Sequence, residues 1–501
     1  PDSLFMFHII RIFFFTAIFP VLTFGQLLPV CGMSGEDQQP LLERLEENRQ
    51  QRPPSMGISE RNSVRYIPIH FHRVGNATGQ GRISITKLLD QMCALNQQYD
   101  SLDVQFYLSP HPNTAYGLFN SSISADNVFT IQTNSSLMNQ RRHNRAVNVF
   151  AVEEPVSGNT PQPGTITQAY YTTNSDWIVM RKSEFSNALN NGVLAHELGH
   201  FFSLPHTFLG YESNYFGPGD AGWPRAPVVS PGGNATERVN GSNCNTAGDR
   251  ICDTPPDYGF ISSNCNPYTG GAQDPLGVPV DPSEKNFMGY FESCKYEFTA
   301  TQRNLIRADI DATRRNYLDN TFTPAATVFS TPVNLLKSPV QNATTPFYDE
   351  VLLEWNVVPE ADWYLLELDV TPLYATAQAQ VLIFSRNVGS CLLTNLSPGR
   401  TYYWRVRPFN AVYTCALARQ QVFKTPQTSS EPIANNVRSF LIAPNPTVAG
   451  QPATLHCSFT ETIRGTLRVS DARGRIVWTA PDTTWPVGDH TLSLPEPAEA
   501  A

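Results

Sequence analysis

The 501 residues predict a multidomain chain: an α/β (α+β) unit first, an all-β sandwich second and a small β unit at the C-terminus. Three observations predict it. Strand-like and helix-like segments alternate up to about residue 320. Residues 332–426 show period-2 strands and turn residues with no helical period, and residues 437–501 repeat short strands between turns. At about 100–200 residues per domain, the length alone expects about three.

Met6 to Arg11 forms a short basic start, Ile12 to Phe24 is almost wholly apolar, and Thr23-Phe24-Gly25 brings small residues. This predicts a secretory signal peptide over 1–25, with an uncleaved anchor as the alternative. No later segment reads as a membrane span, so a secreted or cell-surface protein is expected. The net charge of -9 and a pI near 5.6 argue against nucleic acid or an anionic membrane as the main partner. Nine cysteines in an exported chain predict disulfides with one left over.

Cys31-Gly32 is followed by a charged helix, LLERLEENRQQR, ended by Pro53-Pro54. Next come a strand, RYIPIHFHRV, a helix, ITKLLDQMCALNQQY, and a strand, DVQFYL. Strands at 146–152 and 168–180 precede a helix over about Glu184 to Leu204. The Gly-, Pro-, Asn- and Asp-rich stretch 210–286 holds Cys244, Cys252 and Cys265, expected to form two disulfides with Cys294 in a pairing left open. A helix over about Thr301 to Tyr317 and a linker, TFTPAATVFSTP, close the unit. In the sandwich, Cys391 and Cys415 are expected to pair.

The segment VLAHELGHFFSLPHTF concentrates the chemistry. His196 and His200, at i and i+4, project from one side of a helix and can hold one zinc. Glu197 then points at water beside the metal and can take its proton as general base. His206 supplies a third ligand after the helix stops at Ser203-Leu204-Pro205, leaving the fourth position open.

HELGHFFSLPHTF resembles the long zinc motif of the metzincin clan, and its ending resembles the pappalysin, or cytophagalysin, family. Asn286-Phe287-Met288-Gly289-Tyr290 is similar to that family's Met-turn. The resemblance implies Met288 as a hydrophobic floor under zinc and Tyr290 as a tyrosine near the scissile carbonyl. Gly248-Asp249-Arg250-Ile251-Cys252-Asp253-Thr254-Pro255 resembles a family loop in which Asp249 and Asp253 either ligate a structural Ca2+ or serve as turn residues. The likeness spans roughly residues 31 to 315, which places the catalytic unit at 63–320. Ser203 departs from it: the clan carries glycine there, so a strained turn costing about 1–2 kcal/mol is expected.

The resemblance also implies a pro-segment over 26–62 in which Cys31 occupies zinc's fourth position, with cleavage between Arg52 and Arg65. A lipoprotein anchor and plain disulfide use are the competing readings of Cys31. Trp355, Leu396-Ser397-Pro398 and Tyr402-Tyr403-Trp404-Arg405-Val406-Arg407 resemble a fibronectin type III domain over 332–426. Ala443-Pro444-Asn445-Pro446, Asp471-Ala472-Arg473-Gly474-Arg475 and Gly488-Asp489-His490 resemble the sorting domain of bacterial type IX secretion cargo. There the closing strand breaks off in PEPAEAA and reads as truncated. The expected function is a secreted zinc metalloendopeptidase acting on proteins or peptides, with cell-surface attachment through the C-terminal unit. The alternative is a weak or inactive adhesion protein on the same scaffold.

Overall fold

The computed structural model describes residues 28–33, 35–51, 64–124, 129–156, 165–186, 192–212, 215–217, 222–262, 266–291, 294, 296–427, 437–443, 453–470 and 476–494. The signal-peptide residues 1–25 and the expected cleavage stretch 52–63 lie outside them.

A six-stranded sheet organises the first unit. Its strands are β1 (Leu28–Cys31), β2 (Arg65–Arg73), β3 (Val104–Leu108), β4 (Val147–Val152), β5 (Thr165–Thr172) and β6 (Trp177–Arg181), in the order β1-β5-β6-β4-β2-β3. Strands β3, β2, β4 and β6 run parallel, and β5 runs antiparallel to β6. β1 lies along the outer side of β5 and parallel to it, with Cys31 opposite Ala169. Parallel strands are covered on both faces, and β2 is accordingly buried from Ile67 to His72.

Among the described residues, five helices accompany this sheet: α1 (Gly35–Gln51), α2 (Ile85–Gln98), α3 (Ile131–Arg141), α4 (Val193–Phe201) and α5 (Ala300–Asp311). In α2 the buried Leu88, Leu89, Met92 and Leu95 recur at helical spacing, and the Ser84 side chain accepts from Lys87 N at its start. Leu41, Leu42 and Leu45 of α1 join the same core as α2 and α4. Each such leucine contributes about 1.5–3 kcal/mol by leaving water.

Two expected elements differ. Residues 168–180 form a hairpin, β5 and β6, because Thr173-Asn174-Ser175-Asp176 supplies a turn with Asp176 at φ 55°. The helix expected from Glu184 starts at Val193: Lys182–Phe185 is a 3-10 turn, and Gly192 opens α4 at φ 59°.

The second unit has two sheets. β7 (Leu336–Ser338), β9 (Val351–Trp355) and β12 (Ser390–Leu393) form one, in the order β7-β9-β12. The other contains β8 (Ala343–Thr344), β10 (Trp363–Asp369), β11 (Gln380–Ser385), β13 (Thr401–Phe409) and β14 (Arg419–Lys424), in the order β8-β14-β13-β10-β11. Trp355 and Trp404 are buried between them, and the Tyr402 hydroxyl accepts from Ser397 N at 2.8 Å.

Cys415 pairs with Cys93 of α2, which overturns the expected Cys391–Cys415 bond. Cys391 lies on β12, paired to β9, while the stretch carrying Cys415 is pulled against α2. There Leu108 N donates to Ala411 O, the Thr414 hydroxyl donates to Leu89 O, and Arg407 meets Asp90 at 2.7 Å. The C-terminal residues form small sheets, the largest being β15 (Val437–Ala443), β16 (Thr454–Phe459) and β17 (Gly488–Ser493). Among the described residues no helix is long and apolar enough to cross a membrane.

Candidate metal centre

Every residue of α4 is buried, so its histidines enter a prepared interior. His196 Nδ1 lies 2.7 Å from Phe287 O, and His200 Nδ1 lies 2.7 Å from Leu204 O. A carbonyl can only accept, so both Nδ1 atoms carry the proton and both Nε2 atoms keep a lone pair. His200 Nε2 is 3.1 Å from His196 Nε2 and 3.1 Å from His206 Nε2. Two nitrogens each about 2.0–2.1 Å from a tetrahedral zinc stand roughly 3.3 Å apart, so the donor set fits that ion. Nitrogens converging at this spacing are the donor arrangement that a bound cation uses.

Cys31 completes the group: one ligand atom from each of Cys31, His196, His200 and His206 lies within 4.8 Å of all the others. It arrives there because β1 pairs along β5 and Gly32 N donates to Ala169 O at 2.7 Å. Glu197 is buried and lines the adjoining cleft with Cys31, Gln168, Val193, His196 and Tyr290.

The turn after α4 brings His206 back. Ser203 N donates to His200 O at 2.8 Å, and Leu204 N donates to Gly199 O at 2.9 Å. This pair of bonds ends a helix with a left-handed residue, and Ser203 takes that conformation at φ 70°. Beneath the helix, a Cβ on Gly199 would stand 2.3 Å from Met288 Sδ, so Met288 presses on α4 where only glycine leaves room. Asn286 Oδ1 accepts from Met288 N and shapes that turn. The Tyr290 hydroxyl accepts from Cys31 N at 2.8 Å and lies 3.5 Å from His206 Nε2; burial raises its pKa well above the ordinary value.

Asp249 and Asp253 fall outside the metal-ligand grouping found among the described residues. Asp249 is buried and accepts from Ile251 N and the Thr254 hydroxyl. Burial, with the neighbouring carboxylates, raises its pKa and that of Glu237. Asp253 accepts from the Thr299 hydroxyl and Thr301 N at the start of α5. Protein groups thus hold both carboxylates, and the structure gives Ca2+ no support. Cys244 pairs with Cys252, and Cys294 is also disulfide-bonded; Cys265 lies outside the described residues.

Sequence reasoning missed several residues here. Glu212 Oε1 stands 3.9 Å from His206 Nδ1, and burial pushes its carboxyl up to about 7. Asp309 and Arg315 hold the end of α4 from α5 and the turn after it. None carries a local signal, because each meets the site through the fold alone.

No family model matches the chain. It is similar to an extracellular metalloprotease of Sordaria macrospora, 24% identical over 274 residues that cover 52% of this chain and 79% of the relative. An extracellular metalloprotease of Neurospora crassa is 24% identical over 261 residues, covering 49% and 75%. Among solved structures, a mutant of promirolysin from Tannerella forsythia aligns with 56% of this chain and 90% of its own, at 16% identity and a TM-score of 0.36. The two extracellular relatives and the clustered histidines support a metalloprotease.

Proposed function

We propose that the chain is the latent form of an exported zinc metalloendopeptidase of the pappalysin type, cleaving protein or peptide substrates. The observation that carries this reading is the convergence of three imidazoles, with His200 Nε2 3.1 Å from both His196 Nε2 and His206 Nε2, beside a buried glutamate. His196, His200 and His206 would hold the ion. Zinc, when bound, would supply a Lewis acid that polarises the scissile carbonyl and makes water acidic.

Glu197 takes the proton of a water in the cleft and hands it to the leaving amine, a general-base role worth about 10²–10⁴-fold. Met288 holds α4 from below. The substrate pairs by its main chain with the outer side of β5, the place β1 fills here. Tyr290 turns its hydroxyl from Cys31 to the developing oxyanion when the pro-segment leaves. Cys31 enforces latency by adding a thiolate to the three imidazoles.

In this reading residues 1–25 are a signal peptide, 26–62 the pro-segment, 63–320 the catalytic unit, 332–426 a fibronectin type III-like module and 437–501 a type IX sorting-like domain for export or cell-surface attachment. Glu197→Ala is expected to abolish casein turnover while one zinc per chain remains by elemental analysis. Cys31→Ala is expected to release activity without cleavage. Zinc uptake with no turnover after removal of the pro-segment would turn the reading to a binding protein.

A further inference from the structure

The Ser203 side chain is not idle in its left-handed turn. Its hydroxyl donates to Asp309 Oδ2 at 2.5 Å. Asp309 belongs to α5, is wholly buried, and accepts from Arg315 Nε at 2.6 Å and Arg314 at 2.7 Å. Arg315 also donates to Phe201 O and lays its guanidinium 3.7 Å over the Phe201 ring. Its other arm meets Asp176 of the β5–β6 turn at 2.9 Å. One buried ion pair therefore grips the end of α4 twice, at the Phe201 carbonyl and at the Ser203 hydroxyl.

Immediately beyond that grip, the chain orients one ligand and supplies another. The residue after Ser203 is Leu204, whose carbonyl accepts from His200 Nδ1 and so keeps that ring's lone pair on Nε2. Two residues further comes His206. A rotation at Ser203 moves both the acceptor that orients one ligand and the backbone that delivers another. Backbone preference alone favours glycine at φ 70°.

We propose that Ser203 is a positioning residue for the metal centre: its bond to Asp309 locks the turn that orients His200 and delivers His206, outweighing the backbone cost of a non-glycine residue there. This rests on the zinc reading above. It assigns a role to the position where the chain departs from the glycine of the motif it resembles.

The test has two outcomes of opposite sign. In the full chain, Ser203→Gly relaxes the backbone and removes the hydroxyl. If the hydroxyl positions the ligands, the variant binds zinc about tenfold or more weakly in a chelator competition, the range expected when an outer partner is lost. The visible d–d bands of the cobalt-loaded variant also move, because the ligand angles change. Equal or tighter zinc binding with unchanged cobalt bands would overturn the proposal, and so would a loss confined to the melting temperature of the zinc-free protein. A wild-type chain that takes up no zinc would instead sink the functional reading, and this inference with it.

Discussion

The Tyr290 hydroxyl touches both Cys31 and His206, so on the proposed reading one atom would serve latency and then turnover. Tyr290→Phe is expected to lower kcat of the processed enzyme by about 10²–10³-fold, as when an oxyanion donor is lost. The same variant should leak more activity before processing, since Cys31 N loses its acceptor. An unchanged kcat on a peptide substrate would remove Tyr290 from the chemistry. A second residue-scale prediction concerns the back of the sheet, where His70 and His72 pack with His111 and His143. Burial lowers His72 to about 3, despite its bond to Asn148, and burial then the His72 charge lower His70. In the unfolded chain these rings take up protons below the ordinary 6.5, and in the folded chain they resist. Stability is therefore full above about 6.5 and falls as pH drops below it, for His72 down to about 3, with His70 acting in the same direction. A urea midpoint that stays flat from pH 7 to pH 5 would contradict this. His196, Glu197 and His200 were legible because helical spacing is a local code, and Ser203 was legible as an oddity. Its partner Asp309 was not, since 106 residues separate the pair.

Among elements, α1 and α5 show how far local pattern reaches. The Thr299 side chain accepts from Gln302 N, the Gln302 side chain accepts from Thr299 N, and Asp253 adds a further acceptor. Thr299→Ala is expected to cost about 1–2 kcal/mol, as lost helix caps do, read from urea denaturation. The helix itself was expected from about Thr301, and its Thr299 cap was not read from the sequence. The docking of α1 was not legible, because the partners of its charged residues lie more than a hundred residues along the chain. In fact Arg44 donates to the Tyr171 hydroxyl, Asn48 donates to Asp309, and Glu47 meets Arg314. The segment 168–180 misled for the opposite reason: apolar residues on both sides of the turn imitate one long strand, and only Asp176 at its left-handed position breaks it.

At the scale of the whole molecule the first two units act as one body. Leu365 and Phe409 of the sandwich belong to the core that holds α2 and α4, and the Cys93–Cys415 bond crosses between the units. Replacing both cysteines by serine is expected to lower stability by about 2–5 kcal/mol, measured by denaturant unfolding with the wild type kept oxidised. The sequence pattern showed both units and hid the bond, since spacing says nothing about which cysteines meet across an interface. The placement of β1 and α1 has a kinetic consequence as well. While they remain joined to β2 through residues 52–64, the contacts of the proposed pro-segment are presented at an effective concentration on the order of millimolar. A single cut in that stretch leaves every contact chemically intact, yet the freed peptide dilutes to the concentration of the enzyme itself. On the proposed reading, activation would then be governed by dilution: the cut protein would stay quiet while concentrated and turn active as it is diluted.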